Sequence, residues 1–339
     1  MNIGVLGAGS WGIALAVLLH GKGHKLTMWE FSPEAARFLN EKRELPTKLP
    51  GVTIPQDIVI TNDISELLTS AELVLCVVPS QTMRQTLKAA AAQTPQEAFD
   101  KIKGWIMASK GIEIGTLELM TDVLMDEIPG LKADRCAVLS GPSHAEEVSR
   151  GIPTTVAAAS ENSELALLIQ ENFSTKTFRV YTNDDMRGVE LAASIKNVIA
   201  VAAGIIDGMG FGDNTKGALM TRGIAEMMRL GRKMGAKDST FSGLAGIGDL
   251  ITTCISRHSR NRRMGELIAS GLTLEQALAQ MTMVAEGVET ARSAYALSQK
   301  IGIEMPITTE VYKALFEGKP VKEAVRDLMM RDTKPEFWG

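Results

Sequence analysis

The sequence predicts an α/β domain built on a doubly wound parallel sheet, followed by an all-α C-terminal domain. The chain opens with an apolar run, a glycine-rich turn and a stretch of strong helix formers. Apolar runs and helical patterns then alternate as far as residue 184, and several runs are apolar on both faces, as central strands of a parallel sheet are. Only helical patterns follow. We therefore expect domains at residues 1–184 and 185–331, and a polar tail at 332–339.

The start of the chain predicts a Rossmann-type dinucleotide-binding unit, with a strand at 1–6, the turn GAGSWG and a helix that ends near residue 21. Gly7 allows a sharp turn, Gly9 lets the backbone approach a pyrophosphate, and Gly12 lets helix and strand pack closely. The helix N-terminus offers its N–H groups and positive dipole end to the phosphates. Glu30 ends the second apolar run, where an acid about 20 residues beyond the motif binds the adenosine ribose. The alternative is a tight structural turn.

The remaining elements follow from periodicity and from breaker residues. In the first domain, strands are predicted at 26–29, 58–61, 73–78, 105–109, 136–139, 154–159 and 176–180. Helices are predicted there at 33–41, 82–92, 116–126 and 161–173, with a proline-rich loop at 44–55. In the second domain, helices are predicted at 186–206, 216–234, 260–269, 273–281, 288–300, 308–317 and 321–331.

Composition excludes several classes of protein. The 339 residues are 45% hydrophobic, enough for a large core and for two domains. The net charge of −4 argues against nucleic-acid and membrane-surface proteins, which need a basic face. Three distant cysteines predict reduced thiols, and no His, Cys or Asp spacing matches a metal site. The most apolar later run, 198–206, is too short to span a bilayer, so we expect a cytoplasmic protein without membrane insertion.

Two polar segments lie where strands of the first domain are expected to end. Lys110 follows the predicted strand 105–109, and ligands of open parallel sheets bind beyond the carboxyl ends of the strands. A plain surface lysine is the alternative. The turn at Ser143 leads into a helix N-terminus, which either binds an anion or is capped by Ser143, with Glu146 completing a capping box.

Lys196 and Asn197 interrupt an otherwise apolar helical pattern in the second domain. Desolvation by the surrounding Ala, Ile and Val side chains disfavours the ammonium ion. It would lower the pKa of Lys196 toward the range of a general base. The alternative is a lysine that snorkels from the edge of the helix, and the residues leave both interpretations open.

The segment HSRNRR, residues 258–263, predicts a phosphate site. Ser259, Arg260 and Asn261 open a predicted helix. A hydroxyl, a guanidinium and an amide at the positive end of a helix suit a phosphate group. A solvated basic turn is the alternative. The glycine-rich stretch just before this segment carries Asp249 among apolar residues.

Together these segments resemble the bacterial NAD(P)-dependent glycerol-3-phosphate dehydrogenase family, over nearly the whole chain. The motifs that carry the resemblance are GAGSWG (7–12), SKG (109–111), LSGPSHAEEV (139–148), FRVYTN (178–183), IKNVIAVAAGIIDG (195–208), TRGIAEM (221–227), GLAGIGDLITTC (243–254), HSRNRR (258–263) and EG (286–287). The resemblance implies reversible hydride transfer between NAD(P)H and dihydroxyacetone phosphate to give sn-glycerol 3-phosphate, the entry to glycerophospholipid synthesis. It also implies a homodimer.

The resemblance also implies roles for single residues. Lys196 is implied as the proton donor and acceptor. The implied substrate contacts are Lys110, Gly141, Ser143, Lys196, Asp249, Ser259, Arg260 and Asn261. The implied cofactor contacts are Ser10, Trp11, Lys110, Ala145, Arg260, Val284 and Glu286, beside the glycines Gly7, Gly9 and Gly12.

The sequence departs from many family members at the end of the second predicted strand. Those members carry small or basic residues there, whereas this chain has Glu30, Phe31 and Ser32. A carboxylate binds ribose hydroxyls but repels a 2′-phosphate, so we expect NAD to be preferred to NADP. In the alternative, Glu30 turns to solvent and Phe31 stacks on the adenine.

Two other functions compete with this interpretation. One is a two-domain dehydrogenase that acts on a β-hydroxyacid, which would leave the HSRNRR turn unexplained. The other is a sensor that binds a dinucleotide without turnover, which would not need Lys196 in an apolar helix.

Overall fold

A computed structural model describes residues 1–333, 335 and 336. Part of the predicted tail at 332–339 therefore lies outside the described residues. The chain divides into two compact units. The first comprises Met1–Lys110 and Glu118–Glu190, and the second comprises Gly111–Leu117 and the residues from Leu191 onward.

The first unit contains one eight-stranded sheet. Its strands are β1 (Asn2–Leu6), β2 (Lys25–Trp29), β3 (Val59–Thr61), β4 (Leu73–Cys76), β5 (Gly104–Met107), β6 (Cys136–Ser140), β7 (Thr154–Ala159) and β8 (Phe178–Asn183). The strand order β3-β2-β1-β4-β5-β6-β7-β8 reverses direction between β1 and β4. This confirms the predicted doubly wound α/β sheet, whose central strands are apolar and buried on both faces.

One pair of strands departs from the predicted parallel arrangement. Strands β6 and β7 are antiparallel, whereas every other pairing in the sheet is parallel. A parallel crossover usually carries an α-helix that runs back along the sheet. The connection between β6 and β7 holds only the four-residue helix Ala145–Val148, so the chain turns back.

Helices flank this sheet. They are α1 (Ser10–Gly21), α2 (Pro33–Lys42), α3 (Ile64–Ser70), α4 (Met83–Gln93), α5 (Gln96–Lys101), α6 (Met120–Glu127), α7 (Ala145–Val148) and α8 (Ser163–Phe173). Helices α3 and α5 were not predicted, because with seven and six residues they are too short for a helical period to be recognised. The predicted helix 116–126 begins only at Met120, because Gly115 and Leu117 have left-handed φ angles of 92° and 65°.

The second unit is helical in every described element, as predicted. After α9 (Met186–Gly208), its helices are α10 (Asp213–Lys233), α11 (Asp238–Phe241), α12 (Asp249–Ile255), α13 (Arg260–Ala269), α14 (Leu274–Ala279), α15 (Glu286–Ile301), α16 (Pro306–Phe316) and α17 (Val321–Met329). A π-helical turn, Leu244–Gly248, leads directly into α12. Prediction missed α12 because the glycines that precede it are typical of a loop.

Helix α9 begins in the first unit and continues in the second, since the division falls between Glu190 and Leu191. The predicted boundary before Asp185 marks where the helical pattern starts, whereas the packing changes several residues later. By length and composition alone α9 is apolar enough to cross a membrane, although the run 198–206 within it was expected to be too short. Its most apolar 18-residue window is entirely buried in the protein, as in a central core helix.

Candidate active site

The glycine turn after β1 has the geometry of a phosphate-binding turn. Gly7 has a φ of 118°, and a Cβ atom on Gly12 would lie 2.0 Å from the Gly7 carbonyl oxygen. Neither position accommodates another residue. At Gly9, by contrast, an added Cβ would meet no atom within 4 Å, so the backbone here faces open space.

Helix α1 begins at this turn, with Gly9 as its N-cap and Ser10 and Trp11 in its first turn. The first turn contains no acidic residue. A helix of 12 residues therefore directs its positive end toward the open space at Gly9. These residues fit the pyrophosphate of a dinucleotide, at the switch point of the sheet between β1 and β4.

Glu30 follows β2 directly and is half-buried. Its carboxylate accepts a hydrogen bond from the Ser32 backbone N–H at 3.2 Å, so the carboxylate is held close to the strand end. The Phe31 ring is 76% exposed and meets the Trp29 ring edge-on at 6.2 Å. Ser32 caps α2, because its hydroxyl accepts from the Ala35 N–H at 3.2 Å.

The turn after β6 differs from the predicted capping box. The Ser143 hydroxyl donates to the Gly141 carbonyl at 2.9 Å, within the turn itself. The N-cap of α7 is His144, without a side-chain hydrogen bond to the helix, and Ala145 is the first helical residue. The predicted cap is therefore wrong: the Ser143 hydroxyl is already used, and the helix starts one residue later than expected.

Gly141 adopts a φ of 151°, and an added Cβ would lie 2.9 Å from the Val156 Cα atom. The turn thus depends on glycine at this position. Lys110 is the last residue of its segment of the first unit, three residues after β5 ends, as the strand-end argument predicted.

Lys196 lies in the second unit, on α9, and is buried. Its Nζ donates to Asp249 Oδ1 and to Thr253 Oγ1, both at 2.7 Å. The two side chains of the ion pair are only 5% and 3% exposed. The snorkelling alternative is therefore wrong, because a buried carboxylate, rather than solvent, satisfies the ammonium. That carboxylate favours the charged form of Lys196 and opposes the desolvation emphasised in the sequence analysis.

Thr253 was not predicted as part of the site. Its hydroxyl lies 2.6 Å from the Asp249 carbonyl oxygen and 3.2 Å from Asp249 Oδ1. Asp249 and Thr253 are four residues apart on α12, so both face Lys196. Recognising α12 as a helix would have revealed this spacing.

Helix α13 begins with the predicted phosphate-binding residues. Ser259 is its N-cap and accepts from the Arg262 N–H at 3.2 Å. The Arg260 guanidinium is exposed and donates to the Val284 carbonyl at 3.1 Å. The structure thus brings together Arg260 and Val284, two of the cofactor contacts that the resemblance implies.

Asn261 is buried and links three helices. Its Nδ2 donates to Asn197 Oδ1 at 2.9 Å, and its Oδ1 accepts from the Gly287 N–H at 2.9 Å. Gly287 follows Glu286, the first residue of α15. One amide hydrogen and the amide oxygen of Asn261 therefore bind protein groups. Asn197 was recognisable in the sequence as a polar residue in an apolar helix, but it was not predicted as part of the site.

The candidate residues form two groups, one in each compact unit. The first contains the glycine turn, Ser10, Trp11, Glu30, Phe31, Lys110, Gly141, Ser143 and Ala145, and the second contains Lys196, Asp249, Ser259, Arg260, Asn261, Val284 and Glu286. Within the described part of the chain, no group of three or more His, Cys, Asp or Glu residues is placed to hold a metal ion.

Comparison with known proteins gives matches in both compact units. Residues 2–166 match the N-terminus of NAD-dependent glycerol-3-phosphate dehydrogenase, and residues 185–326 match its C-terminus. A glycerol-3-phosphate dehydrogenase [NAD(P)+] of Chlorobium luteolum is 51% identical over 336 residues, 99% of each chain. One from a Geobacter species is 48% identical and covers 99% of this chain and 98% of the relative.

A crystal structure of glycerol-3-phosphate dehydrogenase from Coxiella burnetii superposes with a TM-score of 0.91 at 36% identity, covering 97% of this chain and 99% of that one. Three findings agree: both domains match the family, full-length relatives are about half identical in sequence, and the fold is shared. The chain belongs to the NAD-dependent glycerol-3-phosphate dehydrogenase family, a family of oxidoreductases.

Proposed function

We propose that this protein catalyses the reversible transfer of a hydride between NAD(P)H and dihydroxyacetone phosphate, giving sn-glycerol 3-phosphate. Family membership supports this reaction over the full length of the chain. The observation that carries the chemistry is the buried Lys196, held by Asp249 and Thr253. A nucleotide sensor without turnover would have no use for this costly buried ion pair.

When bound, the nicotinamide cofactor would supply the hydride for C2 of the ketone. Lys196 Nζ gives a proton to the C2 oxygen as that oxygen gains charge, and takes a proton back in the reverse reaction. Asp249 favours the ammonium form, so a proton is available when the hydride arrives. Thr253 fixes the direction of the Nζ–H bonds.

The remaining polar residues bind substrate and cofactor in this proposal. The substrate contacts are Lys110, Gly141, Ser143, Lys196, Asp249, Ser259, Arg260 and Asn261. The cofactor contacts are Gly7, Gly9, Ser10, Trp11, Gly12, Glu30, Phe31, Lys110, Ala145, Arg260, Val284 and Glu286. Arg260 at the positive end of α13 supports a phosphate site, because a guanidinium and a helix N-terminus both attract an anion.

We also propose that NAD is preferred to NADP, and that the protein acts as a cytoplasmic homodimer supplying sn-glycerol 3-phosphate for glycerophospholipid synthesis. The half-buried Glu30 carboxylate at the end of β2 supports the NAD preference. Gel filtration with light scattering tests the dimer.

The decisive assay follows NADH oxidation by the purified protein with dihydroxyacetone phosphate. The proposal expects rapid turnover and the formation of sn-glycerol 3-phosphate. Unphosphorylated dihydroxyacetone and a β-ketoacid serve as comparison substrates and should react far more slowly. Faster turnover of the β-ketoacid would favour the β-hydroxyacid dehydrogenase. NADH binding without turnover of any of the three would favour a nucleotide sensor.

A further inference from the structure

A second ion-pair cluster lies at the C-terminal end of α9, and the proposed reaction does not use it. Asp207 pairs through Oδ1 with Lys216 Nζ, from α10. Through Oδ2 it accepts from Arg262 Nε, from α13, at 2.6 Å. Arg262 Nη2 also meets Glu266 Oε1 at 3.0 Å. The side chains of Asp207, Lys216 and Arg262 are only 15–19% exposed, so this cluster is not an ordinary surface ion pair.

Helix α13 lies against α9 with the two backbones in close contact. A Cβ added to Gly204 of α9 would lie 1.8 Å from the Arg262 carbonyl oxygen. A Cβ added to Gly265 of α13 would lie 2.0 Å from the Val201 carbonyl oxygen. Helix packing is normally fixed by side-chain ridges that fit into grooves. Glycines remove those ridges at these two points, which leaves more of the positioning of α13 along α9 to polar contacts.

Two polar contacts meet this need, and both involve the first turn of α13. The Asn261 amide binds Asn197 at 2.9 Å, and the next residue, Arg262, binds Asp207 at 2.6 Å. The Arg262 backbone N–H also donates to the Ser259 hydroxyl at 3.2 Å. Arg262 is therefore joined by its backbone to the turn that begins α13 and by its side chain to Asp207 of α9.

The second cluster is joined to the Lys196 pair by α9, which carries both Lys196 and Asp207. The buried Cys254 thiol has its pKa raised to about 12, chiefly by desolvation. The charges that act on this thiol come from both clusters: Lys196 and Asp249 on one side, Lys216 and Asp207 on the other. Lys196 and Asp207 also share one rigid element, α9, on which 11 residues span about 16 Å.

We propose that Arg262 is a positioning residue, whose ion pair with Asp207 sets the phosphate-binding turn Ser259–Asn261 at the correct place along α9 relative to Lys196. This inference rests on the proposed function. Arg262 does not touch the substrate in this account. It acts through Arg260 and Asn261, which precede it on the same helical turn. Asp207 acts as the fixed point on the helix that carries Lys196.

The test compares Arg262→Gln with Lys216→Gln. Both variants remove one cation from Asp207, but only Arg262 belongs to α13. Arg262→Gln should raise the KM for dihydroxyacetone phosphate about 10-fold, as expected for the loss of one charge-assisted hydrogen bond, and should raise the Ki of inorganic phosphate in parallel. Lys216→Gln should change neither constant by more than about threefold, because Lys216 belongs to α10 and not to the helix that carries the phosphate-binding turn. Arg262→Lys keeps the charge and should give an intermediate KM.

The inference is overturned if Arg262→Gln lowers the Tm as Lys216→Gln does and leaves both phosphate-dependent constants at their wild-type values. If Arg262→Gln does not fold, Asp207→Asn decides, because it removes the ion pair from the α9 side: a raised KM supports the inference, and a wild-type KM overturns it. The proposed function fails separately, through a wild-type protein that does not turn over dihydroxyacetone phosphate.

Discussion

Lys196 and Asp249 form a buried ion pair, with Nζ and Oδ1 2.7 Å apart and side chains only 5% and 3% exposed. The two residues are far apart in sequence and come from different helices of the second unit. Burying two charges costs several kcal/mol per ion, and their attraction only partly returns it. A pair kept at that cost in the core beside Thr253 is expected to serve the reaction rather than stability.

Lys196→Ala should lower kcat by about 10² or more, because positioned proton transfer typically contributes that much. NADH should still bind, since the glycine turn lies in the other compact unit. Steady-state kinetics and NADH fluorescence titration measure the two effects. A near-normal kcat would assign the proton transfer to another residue, with Lys110 the next candidate.

Asp249→Asn should destabilise the protein by roughly 3–5 kcal/mol, because it leaves the Lys196 ammonium buried without a counter-charge. Urea unfolding measures this loss. The matched control is the double variant Lys196→Met, Asp249→Leu, which removes both charges and should recover most of the stability while remaining inactive. If the double variant is as unstable as Asp249→Asn, packing rather than the unpaired charge explains the loss.

Arg260→Ala should raise the KM for dihydroxyacetone phosphate by one to two orders of magnitude, since a charge-assisted hydrogen bond contributes roughly 1.5–3 kcal/mol. Arg263→Ala is a suitable control, because Arg263 lies on the same helix but is exposed and pairs with Glu266. Equal turnover of phosphorylated and unphosphorylated dihydroxyacetone by the wild type would show that the phosphate site lies elsewhere.

The wild type should have a much higher kcat/KM for NADH than for NADPH, because the Glu30 carboxylate repels a 2′-phosphate. The double variant Glu30→Gly, Ser32→Arg should shift this ratio toward NADPH. The structure adds a cost: Ser32 caps α2, so its replacement should also destabilise the protein by about 0.5–2 kcal/mol. Equal kcat/KM values for the two cofactors in the wild type would contradict the role of Glu30.

Stability should fall between about pH 5 and pH 7, in part through Glu226. Burial raises the pKa of this carboxyl to about 7, against its hydrogen bonds from Ile307 and Thr308. The folded state therefore keeps a proton that the unfolded state has already lost near pH 4.5. The contribution of Glu226 to the free energy of unfolding is greatest below the unfolded pKa and is lost as the pH rises through 7.

Each carboxyl group of this kind lowers the free energy of unfolding by about 1.4 kcal/mol per pH unit between the unfolded and the folded pKa. Glu226→Gln should flatten the dependence of Tm on pH between pH 5 and pH 7. Glu190 shows the same raised pKa of about 7 from burial, with Thr121 as its partner, so Glu190→Gln should flatten it independently. Parallel Tm curves for wild type and Glu226→Gln would contradict the assignment.

Local sequence predicted the parts of the fold that depend on local physics. The turn from Gly7 to Gly12 was recognisable because the φ angle of Gly7 and the close contact at Gly12 require glycine at those two positions. Apolar runs marked the strands, since a central parallel strand is buried on both faces. Short helices such as α3 and α5 gave too few turns for a period to be read.

The sequence by itself determined the glycine turn, the alternation of strands and helices, and the presence of a lysine in an apolar helix. Only the tertiary structure decided what that lysine meets. Asp249 and Thr253 reach it because α12 packs against α9, and pairing between distant residues leaves no local pattern. The same holds for Asn261 and Arg262, whose partners Asn197 and Asp207 are fixed by the close crossing of two helices. Periodicity reports which face of a helix is buried, whereas the contacts on that face depend on how the helices pack.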